Sequence, residues 1–361
     1  MTTEKHLLEQ VNSALAHNTP LNIRGGNSKA FYGNPVDATN ILDTTAHTGI
    51  VDYTPSELCI TVRCGTRITE LENELARQQQ ILPFEPPVFT PQATIGGAVA
   101  AGLSGPRRPY SGAIRDAILG MKIITGQGEI IQVGGQVMKN VAGYDISRLM
   151  TGSLGTLGVI LEVSLKVIPR PVGEMTLALS CSHEQTIDYF TLLRQSGLPV
   201  SASCHLHNKL FIRLSGSSTN IQHSIKTLRR LIAHTYIEPV EAGATFWESI
   251  RNQTHSFFQQ NDKPLWRLSV APAAPISARL NNDSLTEWGG AIRWISSNTP
   301  ANIIHSIARK KGGHATLFRG NVPESQTFQI PEPALMKLHK NLKNKLDPQG
   351  IFNPNRMYKG L

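Results

Sequence analysis

The chain has 361 residues, 40% of them hydrophobic and 17% charged, which is enough for two or three domains with buried cores. It contains no apolar run near the roughly 18 residues of a membrane-spanning helix and no secretory signal at its start, so we expect a cytoplasmic protein. The formal net charge of +9 forms no long basic stripe with interleaved aromatic residues, which argues against a nucleic-acid binder and favours an anionic cofactor, an anionic substrate or an acidic partner surface.

Apolar periodicity predicts the elements at the start of the chain. The stripe of a first helix consists of Leu7, Leu8, Val11 and Leu15. A strand over 21–23 then leads into the turn Arg24-Gly-Gly-Asn-Ser-Lys29. A strand over 58–62 precedes a second helix, for which Thr66 is the predicted N-cap.

Alternation predicts antiparallel β-structure in the next part of the chain. Residues 118–124 and 129–133 flank Thr125-Gly-Gln-Gly128 and indicate a hairpin. Residues 159–167 alternate in polarity, as a half-buried strand does. The segment Pro169-Arg-Pro171 ends this strand and marks a domain boundary.

The middle third of the chain predicts an α+β layer with an antiparallel sheet. Strands are expected at 174–181, 200–215 (a hairpin), 265–270, 291–295 and 314–319. Helices are expected at 185–196, 219–233, 245–258 and 300–310. A last helix opens at Glu332-Pro333 and ends at Asp347-Pro-Gln-Gly350. Its apolar stripe consists of Leu335, Leu338, Leu342 and Leu346.

Three glycine-rich segments carry the strongest functional signal. The turn 24–29 offers consecutive backbone N–H groups, a hydroxyl and a cation, which together suit an anion. Residues 91–106 are mostly small and allow close approach of a flat ligand, and glycines recur every third residue over 152–158. Each segment alone could be a polar turn or a tightly packed helix. Together they indicate a long phosphate-bearing cofactor, although none fits the dinucleotide or P-loop motif.

The ordered set of motifs resembles the FAD-binding family that includes vanillyl-alcohol oxidase and D-lactate dehydrogenase. The matching motifs are Arg24-Gly-Gly-Asn-Ser, Thr94-Ile-Gly-Gly, Tyr110-Ser-Gly112, Asp116-Ala-Ile-Leu-Gly120, Lys139-Asn-Val-Ala-Gly-Tyr-Asp145, Gly152-Ser-Leu-Gly-Thr-Leu-Gly158 and Leu346-Asp-Pro-Gln-Gly-Ile-Phe-Asn-Pro354. The resemblance implies an α+β fold in which residues 1–171 form a two-lobed FAD-binding domain of the vanillyl-alcohol oxidase type. It further implies an α+β cap domain over 172–332, for substrate or partner, and a C-terminal helix and tail over 333–361 that return to the FAD domain.

By position, the resemblance implies which residues hold the FAD. The first turn would cradle the pyrophosphate, the second would hold the pyrophosphate and the flavin side, the third would pass near the adenosine half, and Asn353 would approach the isoalloxazine. Asn27 stands where some relatives bond FAD through a histidine, so we expect non-covalent FAD. The predicted cofactor-binding residues are Arg24, Gly25, Gly26, Asn27, Ser28, Lys29, Pro91, Thr94, Gly96, Gly97, Ser104, Gly105, Gly155, Gly158, Ile160 and Asn353.

Within the family, the chain is similar to the smaller FAD-binding subunits of bacterial glycolate oxidases, through residues 137–150, 105–108 and 313–319. This implies a complex with a larger FAD-binding subunit and an iron–sulfur subunit, associated through them with the inner face of the membrane. The complex would oxidise glycolate, a 2-hydroxy acid, to glyoxylate. Two alternatives stay open. The subunit relays electrons or only supports the assembly, or it is a stand-alone FAD oxidase of another alcohol, such as an alditol or aldonolactone.

Residues for catalysis or metal binding are less clearly marked. Larger relatives carry a metal-binding H-x-G-D-G-N segment, whereas this chain has only His314 there; we expect no metal, with His314 as the best candidate base. Arg319 or Arg293 could clamp a substrate carboxylate, and each of these residues could instead be structural. His205 and His207 would share one face of a hairpin, and exposed turn residues are the favoured interpretation. The four cysteines form no C-x-x-C pair, which argues against zinc or an iron–sulfur cluster.

Overall fold

A computed structural model describes residues 2–135, 145–232, 235–259, 262–275, 284–322 and 327–361. Most of the predicted motif at 139–145 lies outside these ranges. The chain divides into two compact units. The first unit contains Met1–Ser104, Gly112–Arg170 and Ile330–Leu361, and the second contains Gly105–Ser111 and Pro171–Gln329.

The helices and strands of the described residues follow one another along the chain. The helices are α1 (Thr3–Ala16), α2 (Ile68–Arg77), α3 (Ile95–Ala101), α4 (Arg108–Ser111), α5 (Ile114–Ala117), α6 (Ile146–Met150), α7 (His183–Gln195), α8 (Ser218–Leu231), α9 (Gly243–Arg251), α10 (Ala301–Lys310) and α11 (Pro333–Leu346). The strands are β1 (Leu21–Arg24), β2 (Asn40–Asp43), β3 (Ile50–Thr54), β4 (Cys59–Arg63), β5 (Gln80–Ile81), β6 (Ile118–Ile124), β7 (Ile130–Gly134), β8 (Val159–Lys166), β9 (Ile168–Pro169), β10 (Gly173–Ser180), β11 (Val200–Leu206), β12 (Lys209–Gly216), β13 (Ile237–Pro239), β14 (Leu265–Ser269), β15 (Ser284–Glu287), β16 (Ile292–Ser296) and β17 (His314–Arg319).

The first unit is built on a five-stranded antiparallel sheet in the order β3-β4-β8-β6-β7. β8 lies at its centre and is buried on both faces. Val163 and Leu165 pack in one core, and Val159 and Leu161 pack in another because the register of β8 against β6 shifts by one residue between the two pairs. A smaller parallel pair, β1 and β2, lies in the same unit. Phe352 bridges Leu21 in parallel, so the residues that follow α11 extend this small sheet.

The second unit is built on an eight-stranded antiparallel sheet in the order β13-β10-β12-β11-β15-β16-β14-β17. The antiparallel sheet predicted for the middle third is therefore confirmed. Neither β13 nor β15 is predicted from the sequence, because three or four residues carry too little periodicity to mark a strand. Helices α7, α8 and α10 pack their apolar residues on one face of this sheet.

Two local predictions in the first and second units are wrong. Thr66 is not a helix cap: its hydroxyl accepts the Gly49 N–H at 3.0 Å, and Arg67 occupies the N-cap of α2 without a side-chain bond. The helix expected over 245–258 is split into α9 and a 3-10 turn at Ser256–Gln259. Gln253 lies between the two pieces with φ of +55°, a left-handed conformation that ends a helix.

The last helix, α11, does not bury the face that its leucine stripe predicts. Leu335, Leu338 and Leu342 are 49%, 57% and 39% exposed, and the buried side chain of α11 is that of Lys343. A leucine stripe normally faces the core, since burial of each leucine contributes roughly 1.5–3 kcal/mol. α11 therefore attaches to the first unit through polar contacts and leaves a leucine row on the surface.

Candidate functional site

A cleft of about 360 Å³ opens beside β1 in the first unit. Nine of the predicted cofactor-binding residues line it, and they come from the first two glycine segments and the C-terminal tail. They are Arg24, Gly25, Gly26, Asn27, Ser28, Lys29, Thr94, Gly97 and Asn353. The structure thus brings together residues that lie more than 300 positions apart in the sequence.

The first two glycine segments are in direct contact. A Cβ atom added to Gly26 would overlap the carbonyl oxygen of Gln92, and one added to Gly25 would lie 2.5 Å from the Thr94 hydroxyl oxygen. These two glycines are therefore required for the two turns to meet. The Thr94 hydroxyl also accepts the Gly97 N–H at 3.3 Å, which fixes the start of α3.

The C-terminal tail completes the cleft through Asn353. Its side-chain oxygen accepts the Ile23 N–H at 2.7 Å, and its side-chain nitrogen donates to the Leu154 carbonyl at 2.7 Å. Gly155 has φ of +71°, and a Cβ there would lie 2.7 Å from the Asn353 amide nitrogen. Asn353 is the residue predicted to approach the isoalloxazine. Both the oxygen and the nitrogen of its side-chain amide are hydrogen-bonded within the protein, and these bonds join β1 to the third glycine segment.

Arg356 lines the same cleft and is not predicted from the sequence. Its guanidinium donates to the backbone carbonyls of Lys29, Ala30, Tyr32 and Asn34. The arginine therefore shapes the end of the first glycine turn. Arg356 follows the last matching motif, Leu346–Pro354, and local periodicity does not reveal such contacts, so the sequence carries no signal for it.

The cleft is positively charged. Arg24, Lys29 and Arg356 line it, and none of the described lining residues is acidic. Burial and the neighbouring Arg24 guanidinium lower the pKa of Arg356, so these like charges repel one another across the cleft. A bound anion would relieve that repulsion. The cationic side chains and the backbone N–H groups of the turn fit a pyrophosphate group.

The other predicted cofactor-binding residues lie outside the lining of the cleft. Gly96 packs on Cys64, Gly158 packs on the Ile124 carbonyl, Ile160 is buried, Pro91 is exposed, and Gly155 accommodates Asn353. The Ser104 hydroxyl accepts the Ile114 N–H at 3.1 Å. Gly105 belongs to the second unit, where its carbonyl accepts the Trp288 indole N–H at 3.0 Å. Their direct contact with FAD stays a prediction.

The candidate catalytic residues are not brought together. His314 and Arg319 stand at the two ends of β17, roughly 16 Å apart at about 3.3 Å per residue. Arg293 is buried, and its guanidinium donates to the carbonyls of Ala274 and Pro275. Burial lowers the pKa of Arg293 to about 10, which leaves it charged at neutral pH. Arg293 therefore has a structural role.

The interpretation of His205 as an exposed turn residue is wrong. His205 is buried within β11, its Nε2 lies 2.9 Å from the Cys181 carbonyl, and its ring centre lies 5.2 Å from that of His183, with the two rings tilted by 59°. His207 lies beyond the strand, with φ of +50°. The two histidines therefore do not form a metal-binding pair. The four cysteines are free and buried.

One group of potential metal ligands occurs among the described residues. Ligand atoms of Glu4, His47 and Glu162 lie within 4.8 Å of one another. Lys122 binds Glu4 at 2.6 Å, and Lys122 and Arg63 flank Glu162 on the neighbouring strands. Since two cations already balance the two carboxylates, we interpret this group as an ion-pair cluster.

Comparisons with known proteins identify the family of the chain. A family model for the FAD binding domain matches residues 1–134. The chain is 46% identical over 352 residues to glycolate oxidase subunit GlcE of Escherichia coli (strain K12), covering 98% of this chain and 96% of that relative. It is 32% identical over 139 residues to D-lactate dehydrogenase of Anaerostipes hadrus, covering 38% of this chain and 29% of that relative.

Solved structures show the same fold. The chain matches a crystal structure of p-cresol methylhydroxylase with substrate bound, at a TM-score of 0.73 and 15% identity, covering 99% of this chain and 87% of that one. It matches alkyldihydroxyacetonephosphate synthase at a TM-score of 0.67 and 16% identity, covering 97% and 74%. At these identities the likeness concerns the fold alone. The predicted α+β FAD-binding fold is confirmed.

Proposed function

We propose that this chain, which belongs to the family of glycolate oxidase subunit GlcE and matches the FAD binding domain over residues 1–134, is the FAD-carrying subunit of a complex that oxidises glycolate to glyoxylate. The observation that carries the proposal is the cationic cleft in which two glycine turns and the C-terminal tail meet. When bound, FAD supplies a two-electron acceptor for the alcohol carbon. The protein contributes binding, orientation and charge.

The turn 24–29 is the part of the cleft that we assign to the pyrophosphate. Its backbone N–H groups, with Arg24 and Lys29, offer donors and positive charge to the two phosphates. Asn27 lies in the same turn with φ of +53°, and its amide forms no covalent bond to a flavin. This supports non-covalent FAD, which acid precipitation would release.

The proposal is tested by the absorbance spectrum of the purified chain, before and after glycolate is added without oxygen. We expect flavin bands that bleach when glycolate is added. That result would mean that this subunit houses the oxidation site. A chain that holds no flavin and takes up none disproves the cofactor assignment. Flavin that stays oxidised alone but bleaches with the partner subunits indicates a relay, and bleaching by an alditol or aldonolactone instead of glycolate indicates a stand-alone oxidase.

We further propose that the complex contains a larger FAD-binding subunit and an iron–sulfur subunit, in the cytoplasm and at the inner face of the membrane. No helix in the described ranges is long and apolar enough to cross a membrane. The exposed leucine row of α11 supports an interface with another subunit. α11 carries lysines and no acidic residue over Pro333–Leu346, so we expect the docked surface to be apolar with an acidic rim.

Leu338→Glu should therefore prevent assembly without unfolding the chain. Leu338 is more than half exposed, so the substitution should change the free energy of unfolding by less than about 0.5 kcal/mol. The measurement is co-purification after co-expression with the two partner subunits, with the exposed Val172→Glu as the matched control. A complex that forms normally with Leu338→Glu contradicts the proposed interface. The interface is also contradicted if Leu338→Glu still assembles with its partners but no longer binds anionic vesicles, because the leucine row would then contact lipid.

A further inference from the structure

The C-terminal tail places the guanidinium of Arg356 against the residues at the end of the first glycine turn. It donates to four backbone carbonyls at 2.8–3.3 Å, which belong to Lys29, Ala30, Tyr32 and Asn34. Two of these residues, Lys29 and Ala30, line the cleft together with Arg356. Four carbonyl oxygens from one short segment of the chain thus converge on a single side chain beside the cleft.

Hydrogen bonds in the opposite direction hold this arrangement in place. The side-chain nitrogen of Asn34 donates to the carbonyls of Asn355 at 3.2 Å and Met357 at 3.3 Å, and the Asn34 N–H donates to the Arg356 carbonyl at 2.8 Å. Asn34 is buried, so these bonds are shielded from water. Arg356 is therefore held through its own backbone as well as through its guanidinium, unlike an arginine on the surface.

Gly33 provides the space in which the guanidinium lies. Its φ is +111°, and a Cβ there would lie 2.8 Å from Nε of Arg356 and 3.1 Å from the Arg356 carbonyl oxygen. Nε is part of the planar guanidinium that the four carbonyls hold, so it cannot give way as the end of a flexible side chain would. The glycine at this position thus permits the close approach of Arg356.

The contact changes the charge that this part of the cleft presents to an anion. A carbonyl oxygen is the negative end of the peptide dipole and repels a phosphate, whereas an N–H group or a cation attracts it. Four such oxygens beside an anion site would weaken binding. Because each of them accepts a hydrogen bond from the guanidinium, their negative ends are directed at Arg356 instead of at a ligand. The segment after the turn therefore becomes favourable to an anion.

The positive charge of Arg356 is not cancelled by a carboxylate within the described ranges, where its hydrogen-bond partners are neutral carbonyls. An arginine stays charged at neutral pH. Burial and the nearby Arg24 guanidinium lower the pKa of Arg356, which shows that the two cations act on one another across the cleft. A diphosphate carries the opposite charge and would be attracted by both.

We propose that Arg356 is the positioning residue of the pyrophosphate site. It binds the carbonyls at the end of the first glycine turn, keeps that turn in the shape that receives the diphosphate, and adds a positive charge to the cleft. Affinity for FAD thereby depends on the C-terminal tail. The inference rests on the proposed function, since the diphosphate is that of the FAD assigned there.

The test compares Arg356→Gln and Arg356→Lys with the wild-type chain, each freed of its flavin. The dissociation constant for FAD is measured by quenching of FAD fluorescence, in about 0.05 M and about 0.5 M NaCl. At the lower salt we expect it to rise about 100-fold in Arg356→Gln and about 10-fold in Arg356→Lys, because lysine keeps the charge but loses the planar fork.

The salt dependence separates the effect of charge from that of shape. Salt screens a charge that acts on the diphosphate, so the ratio of the two constants should be about 10 in wild type and in Arg356→Lys, and about 3 in Arg356→Gln. A residue that only stabilised the fold would leave this ratio unchanged. Arg77→Gln is the matched control, since it removes the same charge from an exposed side chain of the first unit. It should change neither the constant nor the ratio by more than about 2-fold.

Inorganic pyrophosphate is the second ligand, because it lacks both the flavin and the adenosine. We expect it to raise the thermal midpoint of the wild-type and Arg356→Lys chains and to leave that of Arg356→Gln unchanged. The thermal midpoints without ligand establish that the variants are folded.

An unchanged FAD constant in both Arg356 variants overturns the inference and leaves the proposed function intact. A raised constant in Arg356→Gln with the wild-type salt ratio overturns it as well, because Arg356 would then only support the fold. Should Arg356→Gln not fold, Arg356→Lys decides, since a constant equal to that of wild type contradicts the inference. If wild type takes up no FAD while pyrophosphate still stabilises wild type and not Arg356→Gln, the proposed function fails and the role of Arg356 stands.

Discussion

Gly26→Ala will abolish FAD binding. The added Cβ would lie 1.5 Å from the carbonyl oxygen of Gln92 and 2.5 Å from its carbonyl carbon. Both are backbone atoms, so no side-chain rotation can relieve the overlap. The two glycine turns must then separate, which removes the cradle that we assign to the pyrophosphate. We expect the purified variant to contain no flavin and its dissociation constant for added FAD to rise at least about 1000-fold, equivalent to about 4 kcal/mol.

Gly97→Ala is the matched control in the same cleft. A Cβ there would lie 3.2 Å from the Thr94 hydroxyl oxygen, a side-chain atom that can give way by a few tenths of an ångström. We expect this variant to keep its flavin, with a dissociation constant within about 10-fold of wild type. Flavin absorbance per chain and quenching of FAD fluorescence measure both variants. A normal flavin content in Gly26→Ala would show that the cofactor does not depend on the contact of the two turns.

Asp347→Ala should destabilise the first unit by about 3–5 kcal/mol, because it leaves the ammonium of Lys343 buried without a counter-charge. Lys343 is 5% exposed and Asp347 is 1% exposed, and they bind one another at 2.6 Å. The ammonium also donates to the carbonyls of Thr156 and Phe352, and burial lowers the pKa of Lys343. The pair therefore joins α11, the third glycine segment and the tail.

Urea unfolding of the variant, monitored by circular dichroism, measures this effect. The double variant Lys343→Met with Asp347→Asn should recover much of the loss, since it removes the charge and keeps an acceptor for the Ile351 and Phe352 N–H groups. Glu74→Ala removes the exposed ion pair with Arg77 and should cost less than about 1 kcal/mol. A loss in Asp347→Ala no larger than that of Glu74→Ala would contradict the buried-pair argument.

The glycine turns could be found in the sequence because glycine is required locally wherever backbone meets backbone. Gly25 and Gly26 mark such a contact without any knowledge of their partner. The partner itself, Gln92, is not visible in the pattern. Asn353 and Arg356 likewise act on residues more than 320 positions away, and no local periodicity encodes those contacts.

Two further predictions from the sequence differ from the structure, each for a physical reason. The leucine row of α11 has the spacing of a core stripe, yet a buried lysine with a counter-charge fixes the helix in another rotation. The sequence predicts His314 and Arg319 as base and carboxylate clamp, yet they stand at opposite ends of β17, because strand register decides which side chains become neighbours. Register depends on pairing between distant strands, which a single sequence does not specify.

The bridge between Ile23 and Asn353 also sets when the cleft can form during synthesis. The two residues are 330 positions apart, so β1 leaves the ribosome about 20–60 s before its partner at ordinary translation rates. A nascent chain therefore exposes the first glycine turn without the tail that completes it. Cofactor loading must wait until the tail has emerged, and premature termination anywhere before residue 353 yields a chain that cannot retain flavin.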